Sequence, residues 1–242
     1  MLLLMEQKET VEVICNDANY GIAKALNIGV EKAISNGYEW VMTLDQDSTA
    51  SPGMIDEMSK VYNLIEDKRS VGIICPRLYD KNKKGFIIED CSETDTFMEL
   101  NVAIQSGSLM NAEVFHRIGY FCEPLFIYYV DVEFSMRVKR NGLKIYQCNN
   151  AILLHEEGKK KKKTLLYKEY YYNDYNENAV YYIARNSIYM LKAYKENKKS
   201  YIRRLKSDLI MILIFDDRRI KKLGYYFKGI LDGLRSRYGK LS

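Results

Sequence analysis

Proline is scarce, with three in 242 residues, and no stretch is rich in glycine and serine. A flexible linker is thereby excluded, and the length suits one sizeable core with at most a small appendage. The five cysteines are odd in number, widely spaced and free of any CxxC pair. That excludes a disulfide frame or a zinc ribbon and reads as reduced thiols in a cytosolic setting. No apolar run reaches the ~18–20 residues of a membrane span; the longest candidate is Leu209 to Phe215. The apolar start, Met1 to Met5, meets Glu6 at once without a basic flank or cleavage site, so it is not read as a signal peptide. There is no internal repeat, no GxGxxG and no P-loop.

Charge is present but divided. The net charge is +5. Residues 159–242 hold 22 Lys and Arg against 8 Asp and Glu, a balance of +14. Residues 1–158 hold 15 against 24, a balance of −9. An acidic body with a basic tail suggests that the tail meets something anionic, a membrane headgroup or a nucleic acid. The plainer reading is a solvated basic surface. Lys159 to Lys163 lacks interleaved aromatics, so no nucleic-acid partner is expected.

Apolar periodicity supplies the organisation. Leu2 to Lys8 reads as the end of a helix, and Val11 to Ile14 as a strand. Ala23, Leu26, Val30, Ala33 and Ile34 recur at helical spacing up to a stop at Asn36-Gly37. Trp40 to Leu44 is the next strand, so strand, helix and strand predict a βαβ unit with a parallel pair. Ser51 with Pro52 predicts a capped helix start. Val71 to Cys75 is a strand, Tyr79 to Glu99 a surface loop or hairpin, and Glu113 to Ile118 a short helix ended by Gly119. A helix from Asp131 ends at Asn141-Gly142. Leu143 to Gln147 and Ala151 to Leu154 are two strands. Tyr167 to Tyr194 has a helical pattern, and Tyr201 to Arg237 fits one or two amphipathic helices.

Against this frame a few polar residues stand out. Asp45 and Asp47 follow a buried strand, one residue apart. Carboxylates just past such a strand lie where α/β sheets bind ligands. Two acids so close repel unless a cation lies between them, and a hard divalent ion suits oxygen ligands. Solvated loop acids are the bland alternative. Asp131 opens a helix, as an N-cap does, or stands as a general base. Glu133 is a first-turn acid or a contact to a substrate hydroxyl. His155 ends a strand, where imidazole can be structural or a metal ligand; His116 is read as structural. Asn19, Gly21 and Asn27 open the first helix, whose N–H groups can hold phosphate.

Taken together, the segments resemble inverting family 2 glycosyltransferases of the GT-A fold, most of all the rhamnosyltransferase-type group. NYGIAKALNIGVEKAISNGYEWVMTLDQDS resembles that group's nucleotide-side helix and DxD-type metal motif. SGSLMNAEVFHRIGYFCEPLFIYYVDVEFSMRVKRNGLKIYQ resembles its acceptor-side block, and His155-Glu-Glu-Gly its His-x-x-Gly. YYIARNSIYMLKAY and GILDGLRSR resemble its C-terminal helices.

The resemblance implies an α/β, three-layer GT-A sandwich around a mostly parallel sheet that lacks its first strands, with C-terminal amphipathic helices. It implies a glycosyltransferase domain over 1–158, truncated at its N-terminus, and a basic helical extension over 159–242. Asp131 would be the catalytic base. Asp45, Asp47 and His155 would hold Mg²⁺ or Mn²⁺ on the donor diphosphate. Asn19, Gly21, Asn27 and Asp45 would face the nucleotide sugar, and Ser106, Gly107, Glu133 and Arg137 would shape the acceptor or donor-sugar pocket. The expected activity moves rhamnose or a similar sugar from a dTDP- or UDP-sugar to a polysaccharide or lipid-linked acceptor. The expected location is cytoplasmic, at the inner face of the cell membrane, with the basic tail toward anionic lipid. The alternatives are a catalytically impaired remnant acting as an interaction protein and, more distantly, a nucleotidyltransferase. One departure is visible: the family's Glu-Asp-x-Asp appears as Val130-Asp131-Val132-Glu133.

Overall fold

The computed structural model of the protein describes residues 11–82, 84–87, 95–156, 160–165 and 167–241. The predicted helix over Leu2 to Lys8 lies outside them. In chain order the elements are α1 (Ile22–Ser35), β1 (Trp40–Met42), β2 (Thr49–Ala50), α2 (Met54–Leu64), β3 (Val71–Asp80), β4 (Gly85–Phe86), β5 (Phe97–Leu100) and β6 (Leu109–Asn111). There follow α3 (Ala112–Ile118), α4 (Val130–Arg140), β7 (Lys144–His155), β8 (Lys160–Leu165), β9 (Lys168–Asn173), α5 (Glu177–Ala193), α6 (Lys198–Phe215) and α7 (Arg219–Leu234).

The main sheet runs β1-β6-β3-β7-β2, with β4 on β3 and β5 on β7. Of these pairings β3 with β7 is parallel; β1–β6, β3–β6, β2–β7, β3–β4 and β5–β7 are antiparallel. This corrects the expectation of a mostly parallel sheet. The expectation rested on a strand before α1, yet residues 11–14 form no strand. β1 and β3 run the same way, but β6 returns between them, antiparallel to both. Apolar runs carry burial and not direction, so a short return strand of three residues reads like any other.

Helices cover both faces. Ala23 and Val30 of α1, Phe115 of α3 and Phe134 and Val138 of α4 pack with Ile73, Cys75, Met110 and Ile145 on one side. Met54, Met58 and Val61 of α2 pack with Ile74, Tyr146, Cys148 and Leu153 on the other. Successive strand residues serve opposite layers, as Ile73 with Ile74 and Ile145 with Tyr146 do.

Three further readings change. The two strands predicted across 143–154 are a single strand, β7, whose register against β3 shifts between Pro76 and Arg77. Ser51 does not cap α2; its N–H donates to the Ile152 carbonyl at 2.9 Å and its Oγ accepts from Ile152 N–H, so it extends the β2 edge. The tyrosine-rich segment becomes helical only at Glu177, because Lys168–Asn173 pairs with Lys160–Leu165 as a hairpin. Tyrosine favours strands, and Tyr170 to Tyr172 stand in register with Lys163 to Lys161 across the hairpin. The end of the chain forms two amphipathic helices, α6 and α7, as predicted.

Candidate functional site

The site is built where β1 stops. Trp40–Met42 is held by β6, but Leu44 is already half exposed, so the chain leaves the sheet one residue earlier than the apolar run suggests. Thr43 N–H and carbonyl still bridge to Ser108 and Gly107 at 3.2 and 2.7 Å. Asp45 N–H then donates to Ser106 Oγ at 3.0 Å, and the Gln105 amide donates to Asp45 Oδ1. Ser48 Oγ lies 2.8 Å from Ser106 Oγ and 3.2 Å from His155 Nδ1. Ser106 is fully buried and ties the two sides together. Gly107 has φ +79°, and a Cβ there would stand 2.7 Å from Pro76 Cγ, so only glycine permits this turn.

This scaffold brings one ligand atom from each of Asp45, Asp47 and His155 within 4.8 Å of one another. Two carboxylates and an imidazole suit Mg²⁺ or Mn²⁺ by ligand type. Ser48 on the His155 ring and Gln105 on the Asp45 carboxylate hold their partners in place, as outer-shell groups do around metals. The donor set therefore fits a divalent ion.

Asp131 enters from the opposite wall. Asp45, Gln105, Ser106, Tyr128, Asp131 and His155 line one open cavity of about 240 Å³. Asp131 is half-buried in the first turn of α4, and its Oδ1 accepts from Val132 N–H at 2.8 Å. Burial raises its carboxyl above the ordinary Asp range, the nearby Asp45 charge adds to this, and the backbone N–H groups oppose it. Gln105 Oε1 is buried and without a hydrogen-bond partner among the described residues. Buried acceptors are seldom left unpaired in folded proteins.

The approach to Asp131 is strained. Phe126, Tyr128 and Tyr129 have φ of 64°, 65° and 64°, each costing about 1–3 kcal/mol for a residue with a side chain. Ile127 N–H bonds the Leu125 carbonyl at 2.7 Å and closes a γ-turn over Phe126. The strain is held from α5. Asn186 Nδ2 is shared among the carbonyls of Leu125, Ile127 and Tyr128 at 3.0, 2.8 and 2.9 Å. Arg185 Nη2 reaches Leu125 and Pro124 at 2.8 and 3.2 Å. Both side chains are buried. Neither was singled out from the sequence; adjacent polar residues inside an apolar helix pattern were the available signal.

The remaining expected site residues fall elsewhere. Glu133 and Arg137 do not line the cavity. They pair at 2.9 Å one turn apart on α4, where Arg137 also donates to the Ile118 and Tyr120 carbonyls and Tyr194 donates to Glu133 at 2.9 Å. Asn27 is buried, bonded to Phe121 N–H and carbonyl at 2.9 and 3.0 Å. Asn19 Oδ1 accepts from Gly21 N–H at 3.0 Å and lines a separate hollow with Phe126 and Tyr182. The first N–H of α1, on Ile22, is taken by the Phe126 carbonyl at 2.8 Å. Gly21 has φ +86°, and a Cβ there would lie 2.5 Å from that carbonyl. Gly21→Ala is therefore expected to lower stability by about 2–4 kcal/mol, measured by urea unfolding.

Residues 3–132 match the model of glycosyl transferase family 2, more than half of the chain. The chain belongs to that family. The matched span of this family 2 member takes in Asp45, Asp47 and Asp131 and stops short of His155, Arg185 and Asn186. The chain is 28% identical to the dTDP-rhamnosyl transferase RfbF of Shigella flexneri, over 94% of its own length and 79% of the relative. It is 22% identical to the low-salt glycan biosynthesis hexosyltransferase Agl10 of Haloferax volcanii, over 96% and 78%. A crystal structure of GalNAc-T7 with UDP, GalNAc and Mn²⁺ matches with a TM-score of 0.54 at 12% identity, covering 92% of this chain. The chain spans 44% of that solved protein, and the likeness is one of fold. The family 2 chain thus has a GT-A-like fold with a curled, largely antiparallel sheet.

Proposed function

We propose that the protein transfers a sugar from a nucleotide diphosphate donor to a saccharide or lipid-linked acceptor with inversion at the anomeric carbon. The observation that carries this reading is the shared cavity: Asp131 faces Asp45 and His155 across one open space. Asp131 takes the proton from the attacking acceptor hydroxyl, and its raised pKa brings it nearer to that task than an exposed carboxylate. A single displacement with a single base inverts configuration. Gln105 and Ser106 hold the Asp45 corner in place, and the clamped Tyr128–Tyr129 segment fixes the base.

Asp45, Asp47 and His155 would hold Mg²⁺ or Mn²⁺, which when bound offsets the charge of the leaving diphosphate. A dTDP- or UDP-linked hexose, rhamnose among them, is the donor class. The two curated relatives, a rhamnosyl and a hexosyl transferase by their names, support that choice. Polysaccharide assembly at the cytoplasmic membrane face is the setting proposed.

Donor binding is the test. Calorimetric titration of the purified chain with dTDP-rhamnose and with UDP-hexoses should give heat in the presence of Mn²⁺ and little in EDTA. Asp47→Ala should raise the Mn²⁺ midpoint roughly tenfold or more. A folded wild-type chain that binds no sugar nucleotide with metal present would refute the reading.

A further inference from the structure

The basic end of the chain has a surface that the transfer reaction does not use. Helix α7 packs on α5 with almost no gap: a Cβ on Gly229 would lie 2.4 Å from the Tyr181 carbonyl, and one on Gly233 would lie 2.8 Å from that of Arg185. Lys222, Tyr226, Gly229 and Gly233 form this inner face and are buried. On the outer face Ile220 is 89% exposed, and Phe227, Leu231 and Leu234 are each about half exposed. At 100° per residue these four occupy about 60° of arc and run about 21 Å along the helix. Lys221, Lys228 and Arg235, spaced by seven, follow in a column directly beside them.

Exposed apolar side chains in a continuous stripe mark a contact surface. An apolar stripe flanked by a cationic column is the pattern of a helix lying in a membrane interface. We propose that this outer face of α7 docks on a bilayer carrying anionic headgroups. The apolar side chains would enter the headgroup boundary while the cations meet lipid phosphates. Charge decides against a second copy as occupant. The only acidic residue of α7 is Asp232, and Tyr181 donates to it at 2.9 Å. Lys221 lies 3.5 Å from Glu177 of α5; pairing two such faces would still gather more cations than carboxylates, whereas an anionic surface meets the column with opposite charge. Among the described residues no helix is long and apolar enough to cross a membrane.

The placement matters because α7 rests on α5, and α5 carries Arg185 and Asn186, which hold the segment before Asp131. A docked α7 would orient the cavity toward an acceptor whose lipid anchor lies in the same bilayer. That consequence rests on the proposed function; the membrane contact itself does not, and it is measured without any sugar nucleotide.

The experiment is flotation of the full chain with vesicles of phosphatidylcholine alone or with about 30% phosphatidylglycerol. The chain should float with the anionic vesicles, remain at the bottom with the neutral ones, and be released by high salt. Phe227→Glu with Leu231→Glu, or Lys221→Glu with Lys228→Glu, should lower partitioning by roughly 30-fold or more. These exposed positions should leave the circular dichroism spectrum and the Mn²⁺ midpoint unchanged. Three results would overturn the proposal: wild-type chain that never floats, flotation indifferent to lipid charge, or both double variants floating like wild type. A wild-type dimer in sedimentation velocity that Phe227→Glu dissociates, with no flotation, would assign the stripe to a second copy instead.

Discussion

Asp131→Asn lowers kcat by about 10²–10⁴-fold, the usual range for loss of a positioned general base, and leaves the Mn²⁺ midpoint in place. Asparagine keeps the Val132 N–H partner at Oδ1, so the first turn of α4 is preserved while the proton acceptor is lost. The pH dependence has a definite sign. Burial raises the Asp131 pKa, so the acid limb of the wild-type kcat/KM profile lies above the ordinary carboxylate range. That limb disappears in the variant. Stability moves the other way. A carboxyl with a raised folded pKa contributes stability that is full below its unfolded pKa and is lost as pH rises through the folded one. At neutral pH the half-buried Asp131 therefore works against folding. Asp131→Asn should melt at the wild-type temperature or above it at pH 7, with the gain absent at pH 3. A variant that melts lower at pH 7 would point to a structural role, and unchanged turnover would remove Asp131 from the chemistry.

The second large effect lies away from the metal-competent cluster. Arg185→Ala strips donors from the carbonyls of Pro124, Leu125 and Gly239 and opens a cavity among Tyr181, Tyr182 and Tyr238. Hydrogen bonds from a charged group contribute about 1.5–3 kcal/mol each, and the bonds are not additive, so a loss of about 3–5 kcal/mol is expected in urea unfolding. Asn186→Ala separates position from stability. It removes the donor shared by the three carbonyls that hold Phe126, Tyr128 and Tyr129 in the left-handed region. Released, that segment relaxes and carries Asp131 with it, and a misplacement of about 1 Å costs roughly 10²-fold in rate. Below its melting temperature Asn186→Ala should show kcat reduced by that order with the Mn²⁺ midpoint unchanged. Asn186→Gln, which keeps an amide, should recover part of the rate. Equal kcat in wild type and Asn186→Ala would reduce the clamp to a stability device.

Much of the corner was legible in advance. Asp45 and Asp47 announce themselves because an apolar run stops abruptly at carboxylates, and Asp131 because another apolar run does the same at a helix start. His155 could be placed at a strand end because Ala151 to Leu154 is unmistakably buried. What periodicity leaves open is which partner a strand takes. Leu109–Asn111 has the composition of any short strand, and nothing local says that it turns back between β1 and β3. Glu133 and Arg137 illustrate a second limit. Four residues apart on α4, they satisfy one another, and a pair that is self-sufficient looks in sequence like a pair that waits for substrate. Gln105 was invisible for the opposite reason: its value comes from Asp45, which the fold brings to it from 60 positions away.

The pairing of Ser48 with His155, residues 107 positions apart, bears on how the molecule assembles. Asp45 and Asp47 sit on a turn that Ser48 N–H closes on the Asp45 carbonyl at 3.1 Å, and Ser106 and Gln105 hold it from about 60 positions away. His155 reaches them only when the whole of β7 has zipped onto β3, a parallel register that closes a long loop and forms slowly. The three candidate ligands can therefore meet only in a chain whose central sheet is complete. An ion that prefers all three would bind the finished protein and ignore partly folded forms, so its concentration in the cell would bias the folding equilibrium as well as the chemistry.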